Sequence, residues 1–404
     1  MFIKLDRINI SFAGKIISDS VIHGTFNQGV SIPLVLEKVT AVSQIIRPQT
    51  PQPPFPYISE DVTYENTNRT ITFGATITYP SVPPEVNYIK APTYPVIILI
   101  NGSGPQNRDG ELFNHKPFAV IADHFTRLGY MVMRIDDRET GKTTGRMDSA
   151  TSADFVQDII TAIEFIKKQI HADTSNITLI GHSEGGMIAP AVANKTKVHS
   201  LILLAAPGLK IPQLMAEQNA AVLRSVNVKE KTVVEYTNFY KELLVSLARH
   251  KDTLAMKKNA TAILNNWIRD KDTAMLKEIQ IDDPEKQASF ISSIVRTISK
   301  PWFHYFLNYD AEKELRKLKN VHVLAMNGER DIQVISSSNL EGIRKNLKKS
   351  KVSGFKIVAL AGLNHLFQKC VKCTVYEYGE LDETFSTDAL KKMSDWLQQV
   401  NTQK

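Results

Sequence analysis

Five residues, Gly181-His182-Ser183-Glu184-Gly185, stand between the apolar run Ile177-Thr-Leu-Ile180 and a stretch of helical pattern that begins at Ser183. A serine with glycines two positions to either side, at a strand-to-helix junction, constrains this chain more than any other feature. Such a turn is sharp and holds the serine in strained φ/ψ, so the flanking positions have no room for side chains. It lifts the hydroxyl above a sheet edge, with a helix N-terminus behind it that favours developing negative charge. A helix-capping serine between flexible glycines is the plainer reading. The strand before it and the helix after it favour a nucleophile.

The rest of the chain supplies the sheet that such a turn needs. Val62–Asn66 and Thr70–Tyr79 read as a β-hairpin, and Pro95–Ile100 is apolar throughout, as in a strand buried on both faces. Lys116–Leu128 is helical by its apolar spacing, Tyr130–Ile135 is a strand, and Ala153–Ile170 is a long amphipathic helix. Leu201–Ala206, Val321–Met326 and Phe355–Leu360 are further strands. Alternating β and α with apolar strands predicts an α/β fold, a mainly parallel sheet with helices on both faces.

Between Leu209 and about Lys319 the pattern is helical, with segments at Gln213–Val226, Lys229–Ala248, Asp252–Arg269 and Pro284–Ile298. This block reads as a cap over the sheet's C-terminal edge, where open α/β sheets place their sites. Residues 1–45 alternate apolar and polar in short runs, such as Ile8–Phe12 and Ile32–Leu36. They are too few for a sheet domain with its own closed core. Five prolines between positions 48 and 56 predict an extended linker. The expected organisation is therefore a partial β segment over 1–47, a Pro-rich linker over 48–57, a core over 58–208 and 320–404, and a helical cap insertion over 209–319.

A serine nucleophile needs a base, and the base needs an orienting acid, here in the chain order Ser, acid, His. The strand Val321–Met326 runs into Asn327-Gly-Glu-Arg-Asp331, which offers Asp331, with Glu329 in reserve. Phe355–Leu360 runs into Ala361-Gly-Leu-Asn-His365, and His365 is the last histidine of the chain. An oxyanion would need two backbone N–H donors, expected from Glu184 and from Ser103 in the loop Asn101-Gly-Ser-Gly-Pro105. That loop lacks the Gly-Lys-Ser/Thr ending of a phosphate loop.

Asn101–Gly110, Arg134-Ile-Asp-Asp-Arg138, Gly181–Gly186 and Ala361–His365 together resemble the bacterial α/β-hydrolase carboxylesterases. Within these the chain is most similar to a branch with an N-terminal β extension and a helical cap, often exported and often described as peptidase- or dienelactone-hydrolase-like. The resemblance spans residues 58–404, with Pro301–Phe306 and Glu377–Phe385 included. Residues 18–38 look like the last part of the branch's β domain, so a truncated reading frame that has lost a signal peptide is expected. Relatives of that branch have Asp-Arg-Gly after the fourth strand, whereas here Glu139 follows Asp137-Arg138. Arg108, Asp109, His115 and Asp137 are expected to brace the mouth of the site, with Arg108 paired to Asp137.

The resemblance implies a serine carboxylesterase with the triad Ser183, Asp331 and His365, no cofactor and no metal. Trp302 and Phe303, with Trp267, Tyr305 and Phe306 of the same cap, would suit an apolar or aromatic acyl group, with feruloyl or acetyl esters as candidates, or serve as packing between cap and core. Amide cleavage, thioester chemistry or acyl transfer would use the same residues. A catalytically dead binding module normally loses the serine or the histidine, and both are present.

The partner that the resemblance implies is a small-molecule ester, and composition speaks against other classes. The net charge of +7 is modest, and its densest run, Lys348, Lys349 and Lys351, reads as a solvated helix end, so no nucleic acid is expected. The longest apolar stretch, Leu201–Pro207, is far short of the ~20 residues of a spanning helix, so no membrane partner is expected. Met1-Phe-Ile-Lys-Leu-Asp-Arg7 carries charges where a signal peptide would be apolar. A periplasmic or secreted location therefore depends on a missing leader, and the alternative is the cytoplasm. An incomplete sheet over 1–45 has open edges that could pair with a second copy in a homo-oligomer. Cys370 and Cys373, the only cysteines, are too few for a disulfide framework and read as incidental thiols or a local disulfide.

Overall fold

The computed structural model describes residues 2–5, 10–27, 31–38, 47–81 and 91–402. They fall into two compact units, Met1–Ile46 and Arg47–Lys404. The first is an antiparallel meander of β1 (Phe2–Leu5), β2 (Ile10–Ser18), β3 (Val21–Asn27) and β4 (Ser31–Glu37), in chain order. Phe12 is buried across Gly24, where an added Cβ would lie 2.4 Å from the ring. Ile32–Leu36 falls within β4, whereas Ile8 and Asn9 lie outside the described residues.

The second unit is built on eight strands: β5 (Tyr57–Glu65), β6 (Thr72–Pro80), β7 (Tyr94–Ile100), β8 (Met131–Ile135), β9 (Ala172–His182), β10 (Ser200–Leu204), β11 (His322–Gly328) and β12 (Gly354–Leu360). Their spatial order is β12-β11-β10-β9-β7-β8-β6-β5, and only β6 runs against its neighbours. Helices α1 (Pro117–Arg127), α2 (Ser152–Ile166) and α3 (Glu184–Ala193) follow β7, β8 and β9.

Strand β7 shows why the centre of the sheet reads as a continuous apolar run. Val96, Ile98 and Ile100 enter one core with Ile163 of α2 and Val192 of α3, while Ile97 and Leu99 enter the other with Phe125 of α1. Period-2 alternation thus serves two apolar faces. The order also positions the site. The chain leaves β7 toward β8 on one side, and leaves β9 toward β10 on the other. Neighbouring strands whose connections diverge open a crevice at their C-terminal ends.

Between β10 and β11 lie α4 (Ile211–Ser225), α5 (Glu230–Leu247), α6 (Thr253–Ile268), α7 (Thr273–Glu278), α8 (Pro284–Ile298), α9 (Pro301–Leu307) and α10 (Ala311–Lys317). Their own apolar cluster, with Phe239, Leu243, Leu264 and Ile298, includes Met187 of α3. Tyr309 Oη donates to the carbonyl of Met187 at 2.8 Å, so the insertion is fastened to the helix behind Ser183. Helices α11 (Ser336–Leu347) and α12 (Thr387–Thr402) complete the unit.

The proline-rich stretch expected to be a linker is docked instead. Arg47 is buried and donates to the carbonyls of Leu381, Gly379 and Phe113 at 2.5, 2.8 and 2.9 Å. Gln49 donates to Phe385 O and accepts from the amides of Thr384 and Phe385. Proline fixes the backbone between these anchors, and the two polar side chains bind it to the last loop.

Candidate active site

At the end of β9 Ser183 adopts φ 55° and ψ −117°. A Cβ on Gly181 would lie 2.1 Å from the carbonyl oxygen of Gly185, and one on Gly185 2.2 Å from that of Ile100. Any side chain at either position would collide with backbone, so the turn exists only because both are glycine. The Ser183 amide donates to Leu204 O of β10 at 2.8 Å, which ties the turn to the neighbouring strand.

Asp331 and His365 follow β11 and β12 and meet: His365 Nδ1 lies 2.7 Å from Asp331 Oδ2, both residues buried. The other oxygen, Asp331 Oδ1, accepts from the amides of Gln333 and Val334 at 2.7 and 3.0 Å. Those two bonds fix the carboxylate so that its second oxygen faces the imidazole. Glu329, two residues earlier, is exposed.

The His365 carbonyl accepts from His182 Nε2 at 2.9 Å, and the two rings lie 4.7 Å apart. Residue 182 precedes Ser183, so this bond holds the histidine loop against the turn. Burial, helped by the nearby His365, pushes His182 down to about 3, so it remains neutral and donates from Nε2. Asn364 braces the same loop: its Oδ1 accepts from the amides of Leu366 and Gln368 at 3.0 Å each.

The loop after β7 crosses the serine turn, and a Cβ on Gly102 would lie 3.3 Å from Ser183 Cβ. Its anchor is Asp137, which accepts from Asn101 Nδ2 at 3.1 Å and from the Gln106 amide at 2.9 Å. Burial, chiefly, raises Asp137 to about 7, with Glu184 and Asp158 adding like charge and the two hydrogen bonds opposing. Ser103 is exposed on this loop, and its carbonyl accepts from Gln106 Nε2 at 3.2 Å.

Three expected braces are placed differently. Arg108 pairs with Asp136, not Asp137: Nη2 lies 2.6 Å from Asp136 Oδ2, and Nη1 reaches Asp61 at 3.0 Å. Asp136 lies one position nearer the strand and faces β6, whereas Asp137 turns to the loop. Asp109 pairs with Arg134. His115 is buried behind the histidine loop, with Nε2 3.0 Å from Tyr378 O and Nδ1 2.8 Å from Thr384 Oγ1.

Glu184 opens α3 and is buried. Its Oε1 accepts from Ser152 Oγ at 2.6 Å and from Trp302 Nε1 at 2.8 Å. Trp302 therefore reaches the serine turn through its indole N–H, while Phe303 meets Trp302 edge-on at 5.6 Å within the cap's aromatic cluster. Trp267 stacks on Phe239 at 4.5 Å in the cap's own core. Cys370 and Cys373 are joined in a disulfide. Glu377 beside them accepts from the amides of Val371, Lys372 and Cys373. The side chains of His182, Glu184 and Asn101, and the amide of Gln333, hold parts of the site that the motifs do not announce. For the first two the signal was available, since they are the variable positions of the Gly-x-Ser-x-Gly turn.

Strand order, the serine turn and the acid–histidine pair after the last two strands give the chain an α/β-hydrolase fold. The serine aminopeptidase S33 model (Hydrolase_4) matches residues 115–282. Esterase EstD of Thermotoga maritima is 26% identical over 125 residues, 31% of this chain and 30% of that protein. The chain thus aligns with less than a third of that relative's length. Among solved structures, Pyrococcus furiosus esterase Pf2001 is 12% identical with a TM-score of 0.49, over 89% of this chain and 99% of that one. Proline iminopeptidase of Mycobacterium smegmatis is 15% identical with a TM-score of 0.48, over 85% and 99%.

Proposed function

We propose that this chain is a serine hydrolase that cleaves carboxylic esters of small or aromatic acids through an acyl-enzyme. The observation that carries the reading is the buried Asp331–His365 pair at 2.7 Å, on a loop hydrogen-bonded to the turn that bears Ser183. Asp331 holds the proton on Nδ1, which leaves Nε2 free to act as base. His365 Nε2 takes the Ser183 proton as Oγ attacks the ester carbonyl. The amides of Glu184 and Ser103 receive the oxyanion, and the imidazolium protonates the departing alcohol. Water, deprotonated by the same imidazole, then attacks the acyl-enzyme, and Ser183 recovers its proton as the acid leaves. These steps use protein groups alone and call for no cofactor. Trp302 and Phe303 are assigned to the acyl side, with the Trp302 ring as the contacting surface because its N–H is held by Glu184.

Hydrolysis of p-nitrophenyl esters from acetate to decanoate, by wild type and Ser183→Ala, tests the reading. Activity highest on short chains and abolished by Ser183→Ala is expected. Activity retained without the serine hydroxyl would remove Ser183 from its role. The matched aminopeptidase model favours amide cleavage as the second reading. Inertness on all esters together with turnover of aminoacyl-nitroanilides would put it first.

A further inference from the structure

The reaction as proposed uses only the backbone of Glu184, yet its side chain is the most unusual group beside the nucleophile. It is 2% exposed. Its polar neighbours are neutral, the Ser152 hydroxyl and the Trp302 indole in direct hydrogen bonds and the Ser103 hydroxyl nearby, while the Asp137 carboxyl adds only like charge. Oε1 takes both of the hydrogen bonds given above, and Oε2 is buried without a partner. Burial pushes the carboxyl upward. A buried acid with no counter-ion and an unmet oxygen weakens a fold, and a well-packed apolar residue would serve stability better.

What the carboxyl does achieve is a junction of three elements. Ser152 is the first residue of α2, Trp302 belongs to α9 of the cap, and Glu184 is the first residue of α3, directly after the nucleophile. Trp302 is itself set by stacking on Phe306 at 5.0 Å.

We propose that Glu184 is a positioning residue that makes the cap part of the oxyanion machinery: by holding Trp302 and Ser152 on one carboxyl oxygen, it aims the amide after Ser183 at the tetrahedral oxygen. The inference rests on the serine-hydrolase reading. An oxyanion donor acts only if its direction is fixed before the charge forms. Releasing Trp302 therefore frees the first turn of α3 and weakens transition-state binding, while binding of an acetyl ester, which makes the least use of the Trp302 ring, is left nearly as it was. The loss falls on kcat.

The test measures kcat and KM on p-nitrophenyl acetate for the full chain as wild type, Glu184→Ala, Trp302→Phe, the double variant and Glu184→Gln. Since loss of one oxyanion donor costs roughly 100- to 1,000-fold, misaiming one should lower kcat about 30-fold in Glu184→Ala and about 10-fold in Trp302→Phe, with KM within about twofold. The double variant should be no worse than Glu184→Ala, because both break one junction. Glu184→Gln keeps an acceptor oxygen and should recover most of the kcat lost in Glu184→Ala. Multiplying losses, a Trp302→Phe effect confined to KM, or a Glu184→Gln as slow as Glu184→Ala would overturn the proposal. Should Glu184→Ala not fold, Ser152→Ala with Trp302→Phe forms the same cycle. Labelling of Ser183 by a fluorophosphonate separates the two readings. Wild type that neither labels nor hydrolyses refutes the serine hydrolase, whereas wild type that does both, with multiplying losses, refutes the junction alone.

Discussion

Asp331 divides its two oxygens between two tasks, one on the imidazole and one on the amides of Gln333 and Val334. In Asp331→Asn the side-chain oxygen can serve only one of these, and the amide nitrogen forces His365 toward the wrong tautomer. We expect kcat on p-nitrophenyl acetate to fall roughly 1,000-fold or more, with the unfolding midpoint little changed, as for triads in general. Asp137 is the pH-sensitive counterpart. Its folded value of about 7 lies above the ordinary carboxylate range, so the folded state holds a proton that the unfolded chain has already released. That contribution to stability is full below about pH 4 and is lost as pH rises through about 7; above that the penalty is constant. Urea midpoints at pH 4.5 and 7.5 should therefore differ more in wild type than in Asp137→Asn, and equal differences would deny the shift. Glu139, where the sequence departs from the resembled branch, takes a left-handed φ of 59°. Its carboxylate accepts from the Met147 amide at 2.8 Å, which helps offset the strain.

Elements were legible in proportion to how much of their pattern burial wrote. Strands β7, β8, β10 and β11 are apolar because both faces are covered, and their positions follow from the sequence within two residues, whereas β9 starts five residues before its apolar run, in a polar, partly exposed stretch. The first half of β5 did not stand out, because Ile58-Ser-Glu-Asp61 is exposed at the sheet's edge and carries charge as edge strands do. Helices α7, α9 and α10 have six or seven residues each, too few for periodicity to show. The placement of Ser183, Asp331 and His365 just after strands could be read from motif and order, because burial makes those strands conspicuous. The Arg108 pairing could not, since Asp136 and Asp137 are adjacent and only the direction in which each leaves β8 separates them. The docked segment 47–56 was hidden for a related reason: proline density reports a stiff backbone, not what its polar side chains reach. Arg47→Ala leaves three carbonyls of buried or half-buried backbone without their donor. We expect it to lower stability by about 2–3 kcal/mol in urea titration, with Arg47→Lys intermediate; no change would mean that water replaces the guanidinium.

At the scale of the molecule, the three large apolar clusters all draw their residues from Arg47 onward. A chain of residues 47–404 is accordingly expected to fold, to label at Ser183 and to melt within a few degrees of the full chain. Loss of labelling on removal of 1–46 would show that the β meander has a share in the site. Within that second unit the carbonyls that Arg47 grips at Gly379 and Leu381 stand 332 and 334 residues further along the chain. Tyr378, in the same stretch, accepts from Gln333 at 3.0 Å, and Gln333 in turn holds Asp331. A ribosome delivers these two carbonyls only after every strand of the sheet. Until then the guanidinium has only the Phe113 carbonyl to bind, and Gln333 lacks the Tyr378 hydroxyl. The clasp at Arg47 therefore closes only after sheet, serine turn and cap have left the exit tunnel, and it draws together two stretches that synthesis separates by more than three hundred residues.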